Sequence, residues 1–260
     1  VDNPMAADKG NSTQFSAFAK VNSSKCEPVV MDEQFNSAVT DIFRNEYLSP
    51  RSPYTTLQIP KQGIGEWCHP LHTVDIDDSG LRSSVQKGVL NTKLGVPFRT
   101  PAEGQNIAFT SLWDNYPDSL TVSLKGKASR AYLLMAGSTN HMQCHIDNGL
   151  IRVYYKDGTC DKMALRNPDN WAPIEHIFFE DGMAFNRHAP ALYRLRLKTG
   201  EVSNNFGEEL GFPGASRELD GGAAILLEMS LNPDKKLSHL VLETLSNDVV
   251  IGLMGITLQR

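Results

Sequence analysis

Long apolar runs and clusters of basic residues are both missing from this sequence. No window approaches the eighteen or more apolar residues that a membrane-spanning helix requires, so we expect no membrane insertion. The 25 basic and 30 acidic residues are mixed along the chain and give a net charge of −5. Because no stretch concentrates positive charge, the sequence argues against nucleic acid or an anionic membrane surface as a partner.

Cysteine is also scarce. The four cysteines, Cys26, Cys68, Cys144 and Cys160, lie far apart and form no C-x-x-C pair, which argues against a zinc knuckle or a redox motif. Four are too few for a disulfide scaffold in a chain of this size. We expect most of them to be free and buried, and Cys144–Cys160 to be the pair that a hairpin could most readily bridge.

The first residues of the sequence predict a processed or partial chain. The sequence starts at Val1 without an initiator methionine or a charged, apolar segment, so we expect a mature product or a piece of a longer protein. Residues 1–28 are polar and rich in Ser, Asn and Lys, which predicts a linker or a loosely attached arm. Residues 29–260 are then expected to form one domain, because 260 residues are within the range of a single all-β domain.

One segment has a helical period. Phe35, Ala38, Val39, Ile42 and Phe43 follow the spacing i, i+3, i+4, i+7, i+8, and two Ser-Pro pairs follow them and favour a helix end. This pattern predicts one short amphipathic helix at about 32–46, with Phe35, Val39 and Ile42 packed inward.

From about residue 54 onward the pattern is that of strands. An Asp157-Gly158 turn between two β-prone runs predicts a hairpin over 151–165. The alternation of residues 192–197, with Arg194 and Arg196 on one side, predicts a sheet with one wet face. The runs AAILLEMSL, LSHLVLETL and VVIGLMGITL predict three antiparallel core strands near the C-terminus.

Together these features predict an all-β fold. Many strands, one helix and closely spaced turns are typical of an antiparallel β-sandwich or jelly roll. A parallel α/β sheet would need helices between its strands, and the sequence offers none. The predicted core includes Ile225, Leu227, Met229, Leu240, Leu242, Ile251, Leu253 and Ile256.

Several blocks of the chain resemble a known family. They are YLSPRSPYTTLQIPKQGIGEWCHP, DIDDSGLR, TSLWDNYPD, KASRAYLLMAGSTNHMQ and NPDNWAPIE, all within residues 47–175, and the later NDVVIGLMGITL. They resemble the C-terminal β-sandwich region of large, uncharacterised secreted Bacteroidetes proteins that are associated with six-hairpin, rhamnosidase-type glycoside hydrolases. The resemblance implies a jelly roll of galactose-binding type, attached to a carbohydrate-active parent and working outside the cytoplasm. It implies no set of catalytic residues.

Four acidic residues in aromatic company are the catalytic candidates: Glu66, Asp114, Glu175 and Glu180. A glycosidase needs two carboxyl groups about 5 Å apart, or 6.5–9.5 Å apart, across the scissile bond. Nothing in the sequence pairs these four. We therefore expect a chain that is not catalytic, with a free-standing hydrolase as the alternative.

Metal candidates are weaker. Asp75, Asp77 and Ser79 occupy positions 1, 3 and 5 of a calcium-loop pattern, but position 12 is Gln86, which cannot supply the bidentate carboxylate. We predict an Asx-rich turn and no essential cofactor, with a structural Ca²⁺ as the alternative. Six histidines could in principle bind zinc: His69, His72, His141, His145, His176 and His188. No pair of them has a diagnostic spacing, so we expect structural or surface groups.

The run TSLWDNYPDSL combines aromatic and short polar side chains, as sugar sites do. The candidate ligand-binding residues of this and two similar clusters are Trp67, His69, Asp114, Asn115, Tyr116 and Trp171. The competing interpretation is a rigid corner in which each Trp anchors a loop. Strand alternation predicts that Trp113 is buried as the anchor, while Asp114, Asn115 and Tyr116 lie nearer the solvent.

These observations lead to one expected function and two alternatives. We expect a non-catalytic module of a secreted, periplasmic or cell-surface bacterial protein of the glycoside hydrolase class. The module would bind glycan or support the catalytic domain of a longer parent chain. The alternatives are a free-standing glycoside hydrolase with a carboxylate pair and a purely structural interaction domain.

Overall fold

A computed structural model describes residues 18, 21–44, 75–112, 115–139, 143–175, 177, 186–206, 218–247 and 249–260. Within these ranges the chain forms fourteen strands, one α-helix and three short 3₁₀ turns. The elements are β1 (Cys26–Pro28), α1 (Ser79–Ser83), β2 (Val85–Gln86), β3 (Val89–Asn91), β4 (Pro97–Arg99), β5 (Ala108–Ser111), β6 (Ser119–Ser123), β7 (Arg130–Thr139), β8 (Asp147–Tyr155), β9 (Cys160–Arg166), β10 (Tyr193–Arg196), β11 (Val202–Ser203), β12 (Ala223–Ser230), β13 (Leu237–Thr244) and β14 (Val249–Gln259).

The strands form three antiparallel sheets. A seven-stranded sheet has the order β1-β14-β7-β12-β10-β11, with β5 also paired to β14, and a four-stranded sheet has the order β6-β13-β8-β9. A small sheet contains β2, β3 and β4. The predicted all-β sandwich is therefore confirmed, whereas the galactose-binding type stays a prediction.

The main core lies between the seven-stranded and four-stranded sheets. All eight predicted core residues of the last three strands belong to it and are buried. Those strands are not neighbours in one sheet, however. β12 and β14 flank β7 in the seven-stranded sheet, while β13 lies in the four-stranded sheet between β6 and β8. The antiparallel core strands were predicted correctly, but only the topology shows that they divide between two layers.

The seven-stranded sheet is buried on both faces. In β7, Leu133 and Met135 face the main core, whereas Leu134 and Ala136 face a second core that includes Leu90 and Phe98 of the small sheet region. Because neither face meets water, every residue of β7 after Arg130 and every residue of β14 before Gln259 is buried, and burial does not alternate along these strands.

The predicted α-helix at about 32–46 is wrong for the part that the structure describes. Residues 32–44 contain only two 3₁₀ turns, Asp32–Gln34 and Val39–Asp41. Between them the chain is extended, and the N–H groups of Asn36 and Ser37 donate to Ile107 O at 3.0 and 3.2 Å. Phe35, Val39 and Ile42 are nevertheless buried as expected. The extended segment packs against β5 and the residue before it, Ile107, and this contact buries the same side chains that a helix would bury.

The predicted N-terminal arm is part of the fold where it is described. β1 pairs with β14 from Cys26↔Gln259 to Pro28↔Thr257. Phe18 stacks on Tyr132 with a ring-centroid distance of 5.8 Å. The seven-stranded sheet therefore includes residues before the predicted domain boundary at residue 28. The extended backbone of 26–28 pairs with β14 and covers its edge.

The predicted wet face at 192–197 is also incorrect. Arg194 is only 4% exposed, and its guanidinium donates to Pro173 O at 2.7 Å and Ala223 O at 2.8 Å. The alternation of charge in the sequence did not show that the chain segment 171–175 covers this strand.

The predicted hairpin is confirmed, but the bridge is not. β8 and β9 are joined through Gly158, which has a φ of +84°. Cys26 and Cys160 are free. These two and Cys144 are half-buried, and Cys68 lies outside the described residues. Cys160 starts β9, whereas Cys144 pairs with Asn167 beyond the other end of this seven-residue strand. At about 3.3 Å per residue, the strand holds these two cysteines too far apart for a disulfide.

Among the described residues, no helix has both the length and the apolar character needed to cross a bilayer.

Candidate functional site

A polar groove lies where the predicted aromatic cluster meets the N-terminal segment. Its volume is about 430 Å³. Three separate stretches of the chain line it, and their residues are Asn36, Ser37, Ala38, Asp41, Gly104, Gln105, Asn115 and Tyr116. Asp41, Gln105 and Asn115 bring planar carboxylate and amide groups, which are the donors and acceptors that sugar hydroxyls require. The predicted candidate Asn115 is thus placed in a cavity of ligand size.

Tyr116 is buried, which corrects its predicted position near the solvent. Its ring lies 5.1 Å from the ring of Phe109, centroid to centroid, and its hydroxyl donates to Ser37 Oγ at 3.5 Å. The loop closes tightly, since Ser111 N–H donates to Pro117 O at 2.9 Å. This closure turns Tyr116 back onto the second core. Trp113 and Asp114 lie outside the described residues.

We expect Tyr116→Ala to lower the free energy of unfolding by about 3 kcal/mol. The substitution removes an aromatic ring from a packed site and leaves a cavity. Urea denaturation with an unchanged m-value measures the loss. Tyr116→Phe keeps the ring and serves as the control. A Tyr116→Ala protein as stable as the wild type would show that the ring is not packed in the core.

Trp171 is fully buried and is not a sugar platform, contrary to its candidacy. Its indole belongs to the main core and covers Gly137 of β7 so closely that a Cβ added there would lie 2.7 Å from Trp171 Cζ2. Its Nε1–H has no hydrogen-bond partner within the described structure. The burial of Trp171 fits the interpretation of this residue as the anchor of its loop. Trp67 and His69 lie outside the described residues.

Of the four candidate acids, only Glu175 is described. It is 6% exposed, and burial raises its pKa to about 7, an effect that the nearby positive charge of Arg194 partly offsets. Burial in turn lowers the pKa of Arg194 to about 10. Glu175 does not line the groove at Asn115. A glycosidase acid must face the substrate. Glu175 is instead an ionisable group enclosed by the protein.

The structure describes all three calcium-loop candidates. Asp77 Oδ1 accepts the N–H of Ser79 at 2.9 Å. Hydrogen bonding from the Ser79 side chain, together with this backbone hydrogen bond, lowers the pKa of Asp77. Ser79 begins α1, whereas Asp75 is exposed. The turn that was predicted as Asx-rich therefore leads into α1.

Two histidines that the sequence did not single out as a pair lie together with an aspartate. Asp169 Oδ2 is 3.8 Å from His145 Nδ1 and 3.9 Å from His188 Nδ1. The two imidazole rings stack with centroids 4.5 Å apart. The ligand-type atoms of all three residues lie within 4.8 Å of one another. We call these three residues the His–Asp cluster.

Strand ends place the members of the His–Asp cluster. His145 lies two residues before the start of β8, and its N–H donates to Asn167 O at 2.8 Å. Asp169 follows the end of β9, and its Oδ1 accepts the N–H of His188 at 2.6 Å. Sequence reasoning missed the cluster because 43 positions separate its two histidines. The only local sequence signal was the Asn/Pro/Asp-rich turn that contains Asp169.

No protein-family model and no curated protein sequence matches this chain. The family resemblance described from the sequence blocks therefore stays a prediction.

Proposed function

We propose that this chain is a non-catalytic carbohydrate-binding module of a secreted carbohydrate-active protein, and that it binds glycan in the polar groove. The observation that carries the proposal is the groove itself, in which Asp41, Gln105 and Asn115 converge from three stretches of the chain. Planar amides and carboxylates can each bond neighbouring hydroxyls of one sugar ring. The predicted sugar candidate Asn115 is among them.

The position of the groove supports binding without catalysis. It lies beside the 3₁₀ turn Val39–Asp41 and the loop after β5, both held on the second core by the buried Val39 and Tyr116. A groove with a rigid base loses little conformational entropy when a ligand enters. Among the described residues that line the groove, Asp41 is the one acidic residue, whereas hydrolysis of a glycosidic bond needs two.

The test is affinity electrophoresis of the isolated chain with soluble polysaccharides that contain rhamnose or galactose, the sugars that the family resemblance suggests. We expect retarded migration in at least one of them. Gln105→Ala and Asp41→Asn should each weaken binding about tenfold, since each removes one or two hydrogen bonds to the sugar. The matched control is Gln86→Ala, because Gln86 is equally exposed and lies outside the groove.

Three results would contradict the proposal. Retention that both groove variants leave unchanged would place glycan binding elsewhere, and the absence of retention would favour the purely structural interaction domain. Turnover of an aryl glycoside by the isolated chain that Glu175→Gln abolishes would establish the glycosidase alternative.

A further inference from the structure

We propose that His145, Asp169 and His188 form a binding site for one divalent transition-metal ion, of the class to which Zn²⁺ belongs. This inference does not depend on glycan binding, because none of the three residues lines the polar groove. It rests on the geometry of the His–Asp cluster, on the unsatisfied nitrogen of His145 and on the way the backbone holds Asp169.

The distances within the cluster fit a shared ion better than direct hydrogen bonds. Both Nδ1 atoms lie 3.8–3.9 Å from the same carboxylate oxygen, Asp169 Oδ2. A nitrogen-to-oxygen hydrogen bond would measure about 2.7–3.2 Å. Ligands at about 2.1 Å from a tetrahedral Zn²⁺ are themselves about 3.4 Å apart. Small movements of the side chains would therefore suffice to close the cluster around an ion.

The nitrogen of His145 needs a partner. Its Nδ1 is buried and makes no hydrogen bond in the described structure, although the ring as a whole is 28% exposed. A buried polar atom without a partner is costly. A metal ion between Nδ1 and the Asp169 carboxylate would satisfy this atom and the carboxylate oxygen together.

Backbone contacts orient the aspartate. Asp169 is 7% exposed, and its second oxygen, Oδ1, accepts the N–H of His188. The Asn170 side chain holds the same turn, since its Oδ1 accepts Arg166 N–H at 2.7 Å and its Nδ2 donates to Ala164 O at 2.7 Å. Hydrogen bonds of this kind fix a ligating carboxylate in metal sites. Oδ2 is thereby left directed toward the two imidazoles.

The donor set indicates the class of metal. Two imidazole nitrogens and one carboxylate oxygen suit Zn²⁺ and other first-row transition metals, whereas Ca²⁺ and Mg²⁺ prefer sites made of oxygen ligands alone. His188 is 65% exposed, so the cluster opens to solvent on that side. With three protein ligands, a fourth position on a tetrahedral ion would be available to water or to a small ligand.

The experiment uses the full chain after treatment with EDTA and removal of the chelator. Titration calorimetry with Zn²⁺ should show one ion bound per chain, with a rise in melting temperature. Co²⁺, used as a spectroscopic substitute, should produce visible absorption of a low-coordinate site. Ca²⁺ should not compete.

His188→Ala is the decisive variant, because its exposed side chain can be removed without disturbing the core. We expect it to weaken Zn²⁺ affinity at least about 100-fold, and Asp169→Asn, which retains an oxygen for the His188 N–H, to do the same. His239→Ala is the control, since His239 stacks on Tyr154 on the four-stranded sheet. Circular dichroism confirms that each variant is folded.

Three outcomes would overturn the proposal. They are the absence of saturable Zn²⁺ binding, Zn²⁺ binding that is equally strong in His188→Ala and wild type, and saturable Ca²⁺ binding in place of Zn²⁺ binding.

Discussion

Trp171→Ala should lower the free energy of unfolding by about 5 kcal/mol, at the upper end of the range for buried aromatic residues. The side chain has no exposed surface, and it belongs to the main core. Its neighbour Gly137 lies in the middle of the seven-stranded sheet, where β14 pairs with β7. Loss of the indole would leave a cavity above that glycine, and a rigid sheet cannot readily collapse into it.

Chemical denaturation measures this loss, and Ile146→Ala is its control. Ile146 is apolar but 48% exposed, so its truncation should change stability by less than about 0.5 kcal/mol. Trp171→Phe should retain part of the lost stability, because it keeps an aromatic ring in the same place. A Trp171→Ala protein that loses less than about 1 kcal/mol would place the indole outside the core.

Glu175→Gln should remove a pH dependence of stability. In the folded protein burial raises the pKa of Glu175 from 4.5 to about 7. As the pH rises from 4.5 to 7, the unfolded chain releases this proton before the folded chain does, so the free energy of unfolding falls. A difference of this size corresponds to about 3 kcal/mol. The glutamine variant does not titrate and should therefore lack this fall.

Urea denaturation of both proteins at a series of pH values from 4 to 8 tests this prediction. The stability of Glu175→Gln relative to wild type should increase by about 3 kcal/mol across the series. Glu103→Gln, which removes an exposed carboxylate, controls for the change in net charge. Parallel curves for wild type and Glu175→Gln would show that Glu175 ionises equally in the folded and unfolded chains.

The fold class and the core strands were predictable because they depend on local sequence patterns. Apolar runs separated by turn residues specify strands wherever they pack, and the Asp157-Gly158 turn specifies its own hairpin. The helix at 32–46 could not be predicted in the same way. Burial of Phe35, Val39 and Ile42 suits both a helical period and an extended chain in contact with β5, and only the hydrogen bonds to Ile107 distinguish the two.

The candidate sites show the same division. Asn115 was expected at a polar surface and lines the groove, but Tyr116 was expected there too and is packed on Phe109. The phase of a strand does not continue through a loop that closes as tightly as 111–117. Arg194 was expected on a wet face and is buried, since nothing in its own strand shows that the segment 171–175 lies over it.

The sequence alone determined the all-β class, the β8–β9 hairpin and the buried residues of β12, β13 and β14, because strand periodicity and turn chemistry act between near neighbours. Only the tertiary structure decided that the seven-stranded sheet is covered on both faces, that Glu175 is enclosed beside Arg194, and that His145 and His188 meet at Asp169. These features arise where segments distant in sequence converge. Their positions depend on sheet order and register, which no single segment encodes.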